Sequence, residues 1–187
     1  GVKTVGSVIH AETVVLAGGM SVPLLLRPLG YQLPLVPIRG TVCALYPHEP
    51  FLKQTLFGTG WYVTPKADGR LIVGATQEEG VNTRKVTADA LLTILERAGR
   101  MLPYLQRLPF HSAWSGIRTG TPDRLPVIGP VPGIDGLFVA TGHFRNGILL
   151  APVTGEVTAA HILGEEHMAL DVRPFLPERL LATTSEG

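Results

Sequence analysis

Two arginines stand where apolar, strand-like runs of the sequence end, and an arginine is well suited to bind a carboxylate. Arg118 lies in "WSGIRTGTPD", and Arg145 lies in "GHFRNG", directly after "GLFVATG". In open α/β sheets, ligands bind outside the carboxyl ends of the strands, and a guanidinium holds a carboxylate through two parallel hydrogen bonds. The arginines therefore indicate a carboxylate site. The alternative is that each pairs with a surface acid such as Asp123 or Glu156.

The residues after Arg145 offer backbone donors. Asn146 and Gly147 directly precede "ILLAPVTGEVTAAHIL", which reads as a helix. The first N–H groups of a helix have no partner within the helix, and its positive end favours an anion or a developing negative charge. The alternative is ordinary capping, which most helices show without a ligand.

An aromatic pair, Trp61 and Tyr62, lies in a strand-like run. Successive side chains of a strand point to opposite faces. We therefore expect one ring in the core and the other facing a cavity or solvent. Two core or cross-strand aromatics are the alternative.

The sequence motifs of several common catalytic and binding sites are absent. The sequence has no G-x-S-x-G, no P-loop and no H-E-x-x-H, and "GTGWYV" carries Val63 where a third glycine of G-x-G-x-x-G belongs. No metal site is predicted, and His161 and His167 are expected at the surface. The single cysteine, Cys43, has no disulfide partner in the chain and is predicted to be a buried strand residue.

The composition fits a globular protein in a reducing compartment. Of 187 residues, 45% are hydrophobic, and the net charge is +1. The basic residues do not cluster as a nucleic-acid surface requires. No apolar run approaches the ~20 residues of a membrane span, and the N-terminus lacks the apolar region of a signal peptide. A cytoplasmic location is predicted.

The elements that must position these residues alternate in type along the chain. "ETVVLAGG" (12–19) is an apolar run typical of a parallel strand. A helix capped by Ser21, with Pro23 in its first turn, should follow and stop near Gly30. A second helix is predicted after Thr87, ended by Pro103.

The middle of the chain is predicted to form an antiparallel sheet. Its short strand-like runs include "IRGTVCALY", "QTLFG", "GWYVTPK" and "RLIVGAT", and "ADG" (67–69) marks a hairpin between the last two. The helix after Thr87 should bury a leucine stripe, which consists of Leu91, Leu92, Leu95 and Leu102. The tail after Leu170 should wind over the surface, and "ATTSEG" (182–187) should be disordered.

The fold class predicted from this order is mixed α/β and α+β, with a discontinuous domain. Residues 1–37 and 111–187 would form an α/β layer, and residues 38–110 would form an inserted antiparallel lobe.

These segments, taken together, resemble the D-amino-acid oxidase superfamily of flavoenzymes, in particular its glycine oxidase branch of thiamin thiazole biosynthesis. The resemblance is collinear from about residue 13 to about residue 164. It rests on "VVLAGGMS", "LPLVPIRGTVCAL", "WYVTPKADGRLIVGAT", "AWSGIRTGTPDRLPVIGP" and "GHFRNGILLAP". It implies the C-terminal portion of a discontinuous, Rossmann-like FAD-binding domain with an inserted substrate-binding lobe.

The resemblance implies a role for each candidate residue. Arg118 would hold the substrate carboxylate, Tyr62 would hydrogen-bond it, and Arg145 would lie against both substrate and flavin. The residues implied to contact FAD are Gly18, Gly19, His143, Phe144, Arg145, Asn146, Gly147, Ile148 and Leu149. No side chain is implied to be catalytic, because the flavin would accept a hydride from the substrate α-carbon.

The expected activity is oxidation of glycine or a related small amino acid or amine, with oxygen reduced to hydrogen peroxide. The FAD would be non-covalent, since residues 110–130 contain no cysteine. The G-x-G-x-x-G turn of the superfamily is missing, so the chain alone is expected to be inactive. Gly60 and Gln77 replace larger or apolar residues of that branch, which leaves the substrate open. The alternatives are a D-amino-acid dehydrogenase that passes electrons to an acceptor other than oxygen and, for the isolated chain, a non-catalytic, flavin-free lobe. A homo-oligomer is the further partnership considered for the full-length protein.

Overall fold

A computed structural model describes residues 1–165 and 170–183 of the chain. The chain divides into two compact units: unit 1 comprises residues 1–36 and 118–187, and unit 2 comprises residues 37–117. The predicted boundaries were 37/38 and 110/111. The second boundary of the units lies seven residues later, because one continuous strand runs through residues 110–120.

Thirteen strands and three α-helices make up the described chain. The strands are β1 (Val2–Lys3), β2 (Val8–Ile9), β3 (Val14–Leu16), β4 (Tyr31–Gln32), β5 (Val36–Leu45), β6 (Leu56–Gly58), β7 (Trp61–Pro65), β8 (Leu71–Gly74), β9 (Glu78–Glu79), β10 (Phe110–Gly120), β11 (Val127–Pro130), β12 (Leu137–Thr141) and β13 (Ala182–Thr183). The α-helices are α1 (Val22–Leu26), α2 (Ala88–Met101) and α3 (Gly147–Leu163). Short 3₁₀ turns span Gly19–Ser21, Arg27–Leu29, Pro103–Arg107, Arg173–Phe175 and Pro177–Arg179.

Unit 1 is built on a three-stranded sheet in the order β11-β12-β3, with β12 parallel to β3 and antiparallel to β11. The apolar runs of β3 and β12 supply its core together with α1. The buried residues of this core are Val22, Leu26, Leu33, Val127, Val131, Leu137 and Val139. The parallel-sheet strand predicted within residues 12–19 is confirmed, and its parallel partner is β12. As predicted, the segment after β3 is helical and ends at Gly30, which takes the left-handed conformation with φ 84°.

Unit 2 is built on an antiparallel sheet in the order β10-β5-β8-β7-β6, with β9 pairing β5. The hairpin predicted at residues 67–69 joins β7 to β8. Helix α2 begins as predicted, since the Thr87 hydroxyl accepts a hydrogen bond from the Ala90 amide at 3.3 Å. The core between α2 and the sheet contains Cys43, Leu45, Val63, Leu71, Val73, Ile94, Ala98, Leu105 and Leu108.

The predicted leucine stripe of α2 is partly wrong. Leu92 is 59% exposed, whereas Ala90, Ile94 and Ala98 are buried. Those three recur every four residues and form one helix face. The small alanines let the helix approach the sheet closely, and Leu91, Leu95 and Leu102 flank this face.

Other local predictions also need correction. Within the described chain, the Ser21 side chain accepts no capping hydrogen bond, because a 3₁₀ turn already precedes α1. Residues 182–183 of the tail predicted to be disordered pair with β4, and the rest of that tail lies outside the described residues. His161 is half-buried, and its Nε2 is enclosed. His167 lies outside the described residues.

No α-helix within residues 1–165 and 170–183 combines the length and the apolar character needed to cross a membrane.

Candidate functional site

The carboxyl ends of β3 and β12 meet at one edge of the unit 1 sheet, because these strands are parallel and Val139 pairs with Leu16. The chain after β3 turns at Gly19, where φ is +57°. The Thr141 hydroxyl donates to the Gly19 carbonyl at 3.4 Å. A Cβ at Gly19 would lie 3.1 Å from the Thr119 hydroxyl oxygen. The turn is therefore a close approach of backbone to the strand that carries Arg118.

The loop after β12 is joined to that same strand through the backbone. The Phe144 amide donates to the Thr119 carbonyl at 2.8 Å, and Phe144 has φ 53°, in the left-handed region. Left-handed backbone is uncommon for a bulky residue and persists only when its surroundings fix it. Phe144 is thus hydrogen-bonded to Thr119, the residue that follows Arg118. Arg118 is half-buried, whereas Arg145 is exposed.

The start of α3 presents backbone donors without a side-chain cap. The first bond into the helix runs from the Leu150 amide to the Asn146 carbonyl at 2.8 Å. Among the described residues, none donates a capping hydrogen bond to the Asn146 side chain. Ile148 is 94% exposed. The start of α3 therefore lies at the surface of unit 1, and its first-turn amides receive no cap from the Asn146 side chain.

His143 ties the loop to the body of α3. Its Nε2 lies 3.0 Å from the Thr154 hydroxyl oxygen. Burial lowers the pKa of the His143 imidazole below its usual value, so the ring is neutral at pH 7. Beside it lies a 560 Å³ groove between α3 and the sheet. Its lining is mostly small or apolar and consists of Val15, Ala17, Ala140, His143, Gly147, Ala151, Thr154, Gly155, Thr158, Ala159 and Ile162.

Asp123, one of the acids considered as a partner for a strand-end arginine, is bound by Arg179. Arg179 Nε lies 2.6 Å from Asp123 Oδ2, and its Nη2 donates to the carbonyls of Leu125 and Pro126 at 2.8 and 3.0 Å. The hydrogen bond from Arg179 lowers the pKa of the Asp123 carboxyl to about 2. This ion pair joins residues 177–179 to the loop that follows β10.

Tyr62 lies in unit 2, on the sheet face away from α2. Trp61 packs against the core, while Tyr62 pairs with Gly74 and lines a 660 Å³ cavity. The predicted separation of the two aromatics is confirmed. A Cβ at Gly74 would lie 3.0 Å from the Tyr62 ring and hydroxyl, so the bare backbone there makes room for the tyrosine.

The cavity beside Tyr62 changes from apolar to charged along its length. Around the tyrosine it is lined by Gly40, Val42, Ile72, Trp114 and Gly116. At the hairpin end it is lined by Lys66, Ala67, Asp68 and Arg70, and Arg70 Nε donates to Asp68 Oδ2 at 2.8 Å. This hydrogen bond lowers the pKa of the Asp68 carboxyl below its usual value.

The structure brings together the predicted residues of unit 1 and places Tyr62 in unit 2. Thr119, Thr141 and Thr154 fasten the unit 1 loops, and the sequence motifs gave no signal for them. Among the described residues, no three His, Cys, Asp or Glu side chains are grouped so that they could hold a metal ion.

Comparison with protein families matches residues 1–161 to the model of the FAD dependent oxidoreductases. The glycine oxidase of Pseudomonas putida is 38% identical over 178 residues, which are 95% of this chain and 48% of that enzyme. The bifunctional protein ThiO/ThiG of Synechocystis sp. is 40% identical over 181 residues, or 94% of this chain and 26% of that protein.

Solved structures of oxidases also match this chain. The glycine oxidase of Geobacillus kaustophilus matches with a TM-score of 0.84 and 38% identity, covering 92% of this chain and 47% of that one. The iminodiacetate oxidase of Chelativorans sp. BNC1 matches with a TM-score of 0.81 and 26% identity, covering 90% and 47%.

This chain spans about half the length of the glycine oxidases that it matches. The resemblance and the mixed fold class predicted from the sequence are both confirmed. The chain belongs to the family of FAD dependent oxidoreductases.

Proposed function

We propose that this chain supplies the substrate-binding lobe and the flavin-edge loop of an oxidase that acts on glycine or a related small amino acid or amine. The observation that carries the proposal is the hydrogen bond from the Phe144 amide to the Thr119 carbonyl. It fastens the loop of Arg145 beside Arg118, at an edge where strand ends meet and where ligands of α/β folds bind. The names of the glycine oxidase relatives support the substrate class.

The residues at this edge fit an FAD. The first-turn amides of α3 and the positive end of its dipole suit the flavin edge that becomes negative on reduction. Gly19 has no side chain, so the backbone there can lie close to a neighbouring group. A dinucleotide bound beside this turn would require such a close approach. We assign FAD contacts to Gly18, Gly19, His143, Phe144, Arg145, Asn146, Gly147, Ile148 and Leu149. With no cysteine in residues 110–130, we propose that the FAD is held non-covalently.

The substrate-binding residues of the proposal are Arg118, Tyr62 and Arg145. Arg118 offers a guanidinium that can hold a carboxylate through two hydrogen bonds, and the Tyr62 hydroxyl can add a third. The neutral imidazole of His143 adds no positive charge to the loop. In this proposal the side chains bind and orient the substrate and remove no proton.

When bound, FAD supplies the two-electron acceptor of the proposed reaction. Glycine would lose a hydride from its α-carbon and a proton from its nitrogen to become an imine. Oxygen would receive the two electrons with two protons and leave as hydrogen peroxide. The likeness to ThiO/ThiG supports delivery of the imine to thiazole synthesis. A cytoplasmic setting is part of the proposal and agrees with a single, buried cysteine.

The test uses the complete polypeptide loaded with FAD, with oxygen uptake and peroxide measured on glycine. Arg118→Ala should raise KM by about 10- to 100-fold, because charge-assisted hydrogen bonds contribute about 1.5–3 kcal/mol. Arg100→Ala, at an exposed arginine of α2, is the matched control and should leave KM unchanged.

Three outcomes would change the proposal. Unchanged kinetics in Arg118→Ala would remove Arg118 from the site. Reduction of the flavin by glycine without peroxide would indicate a dehydrogenase with another electron acceptor. A protein that shows neither flavin absorbance nor turnover after addition of FAD would be the non-catalytic lobe.

A further inference from the structure

Two threonines of α3 lie one turn apart on the same helix face and use their hydroxyl groups differently. The Thr158 hydroxyl donates to the Thr154 carbonyl at 2.7 Å, which is a bond from a helical threonine to the preceding turn. Among the described residues, the Thr154 hydroxyl makes no such bond to its own helix. Its oxygen lies 3.0 Å from His143 Nε2 instead, so this side chain binds the loop that precedes the helix.

The hydrogen bond between His143 and Thr154 can run in either direction, and the single hydrogen of the hydroxyl favours one of them. In the described chain, the Thr154 hydroxyl has no hydrogen-bond partner other than His143. If the ring donated through Nε2–H, the hydroxyl hydrogen would have no acceptor from the protein, which is unfavourable in a largely apolar groove. The pattern of hydrogen bonds therefore assigns Thr154 as the donor and Nε2 as the acceptor.

This assignment fixes which ring nitrogen of His143 carries the hydrogen. The ring is neutral at pH 7, because burial lowers the pKa of the imidazole, and a neutral imidazole has one N–H. With Nε2 accepting, that hydrogen is on Nδ1. Within residues 1–165 and 170–183, no group accepts a hydrogen bond from His143 Nδ1. The loop after β12 thus carries a side-chain donor whose acceptor is not part of the described chain.

We infer that Thr154 is a positioning residue that holds the His143 ring as its Nδ1–H tautomer, so that the loop after β12 offers this N–H to a bound flavin. The inference rests on the proposed function, which places FAD against this loop. The ligand of the N–H is then an acceptor atom of the cofactor. The backbone path of the loop is held separately, by the Phe144 amide on the Thr119 carbonyl. Thr154 therefore sets the state of the ring and leaves the path of the chain unchanged.

The first test reads the tautomer without any turnover, by NMR of the complete, FAD-loaded polypeptide with isotope-labelled histidine. Couplings between ring hydrogens and ring nitrogens show which nitrogen is protonated, and His143→Asn identifies the signals of this ring by their loss. The native ring should be protonated at Nδ1 and not at Nε2. Thr154→Val should move the hydrogen toward Nε2, because the hydroxyl that donated to Nε2 is gone.

Two further variants make this test specific to the hydroxyl of Thr154. Thr154→Ser keeps the hydroxyl and should restore the native tautomer. Thr158→Val removes a hydroxyl from the same helix face and the same groove, but this hydroxyl binds a backbone carbonyl and not the ring. This variant is the matched control and should leave the His143 signals unchanged.

The second test measures the Kd of FAD by titrating the complete polypeptide after its cofactor has been removed. His143→Ala and Thr154→Val should each raise Kd about three- to tenfold, as expected for the loss of one hydrogen bond. His143→Asn should keep Kd near the native value, because its amide nitrogen can take the position of Nδ1. In the His143→Asn background, Thr154→Val should raise Kd no further, since the two residues act through one ring.

The outcomes separate this inference from the proposed function. A native ring protonated at Nε2, or a tautomer unchanged by Thr154→Val, overturns the positioning role of Thr154. A Kd of FAD unchanged by His143→Ala overturns the role of His143 as a donor. If FAD binds with the expected pattern but glycine is not oxidised, the proposed substrate fails and the inference stands. If the native polypeptide does not bind FAD, both are overturned.

Discussion

The two candidate regions are fixed by different kinds of interaction. In unit 1, the loop after β12 is held through its backbone, by the Phe144 amide on the Thr119 carbonyl and by a left-handed turn at Gly142 with φ 83°. In unit 2, the segment after β8 is held by side chains, chiefly Arg39 and Glu78. The difference teaches where each region is vulnerable. The loop of unit 1 should tolerate truncated side chains but not an added Cβ. The segment after β8 in unit 2 should tolerate an added Cβ better than the loss of a side chain.

The largest expected effect is that of Gly142→Ala, which tests the backbone-held region. Its Cβ would lie 2.7 Å from Thr121 Cγ2, and φ is positive. Strain and overpacking together should lower the free energy of unfolding by about 3 kcal/mol, as measured by urea denaturation. The control is Gly80→Ala in unit 2. Gly80 has φ 77° but no described atom within 4 Å of its Cβ, so strain alone should cost about 1 kcal/mol. Equal losses in both variants would contradict the steric part of the comparison.

A smaller effect is expected at the ion pair between Arg179 and Asp123 in unit 1. Arg179 lowers the pKa of Asp123 to about 2, from 3.8. A lowered pKa adds stability above the unfolded-state value, and this stability is lost as the pH falls toward 2. The Asp123 side chain is 33% exposed, so solvent screens its charge. Asp123→Asn should therefore lower the free energy of unfolding at pH 7 by about 1 kcal/mol.

Thermal unfolding of the native protein and Asp123→Asn between pH 2 and 7 measures this loss. The two Tm values should differ at pH 7 and converge near pH 2. A difference that stays constant over this range would show that the charge of Asp123 is not the source of the effect, and the loop after β10 would then be held by backbone contacts alone.

The smallest effect is expected at Thr41, whose amide donates to the Thr76 hydroxyl in unit 2. Its hydroxyl is buried, and no partner for it occurs among the described residues. Thr41→Val removes this group and keeps the shape and the backbone amide that binds Thr76. The free energy of unfolding should rise by about 0.5 kcal/mol, measured by urea denaturation against Thr83→Val, at an exposed threonine, as control. A fall in stability would show that the buried hydroxyl stabilises the fold.

The features predicted correctly are those encoded over a few residues. The hairpin at residues 67–69, the cap of α2 by Thr87 and the helix end near Gly30 each depend on a local conformational preference. The parallel-strand character of β3 was predicted from its continuous apolar run, and the structure supplies its partner, β12.

The features that sequence patterns missed depend on contacts between distant residues. Thr119 and Phe144 are joined by backbone atoms, which leave no mark on residue type. The register that pairs Arg39 with Glu78 differs by one residue from the register that pairs Val42 with Gly74, and no residue of "GATQEE" indicates this change. Leu92 was placed in the core because periodicity does not show that small residues, such as Ala90 and Ala98, form the contact face.

The left-handed Phe144 also has a kinetic consequence. Its conformation is fixed by the Thr119 carbonyl, which is a group of unit 1 itself. A ligand that binds this loop therefore loses little conformational entropy in ordering it. Association at this edge should follow a single phase whose rate grows linearly with ligand concentration, and the dissociation rate should account for most differences in affinity among related ligands.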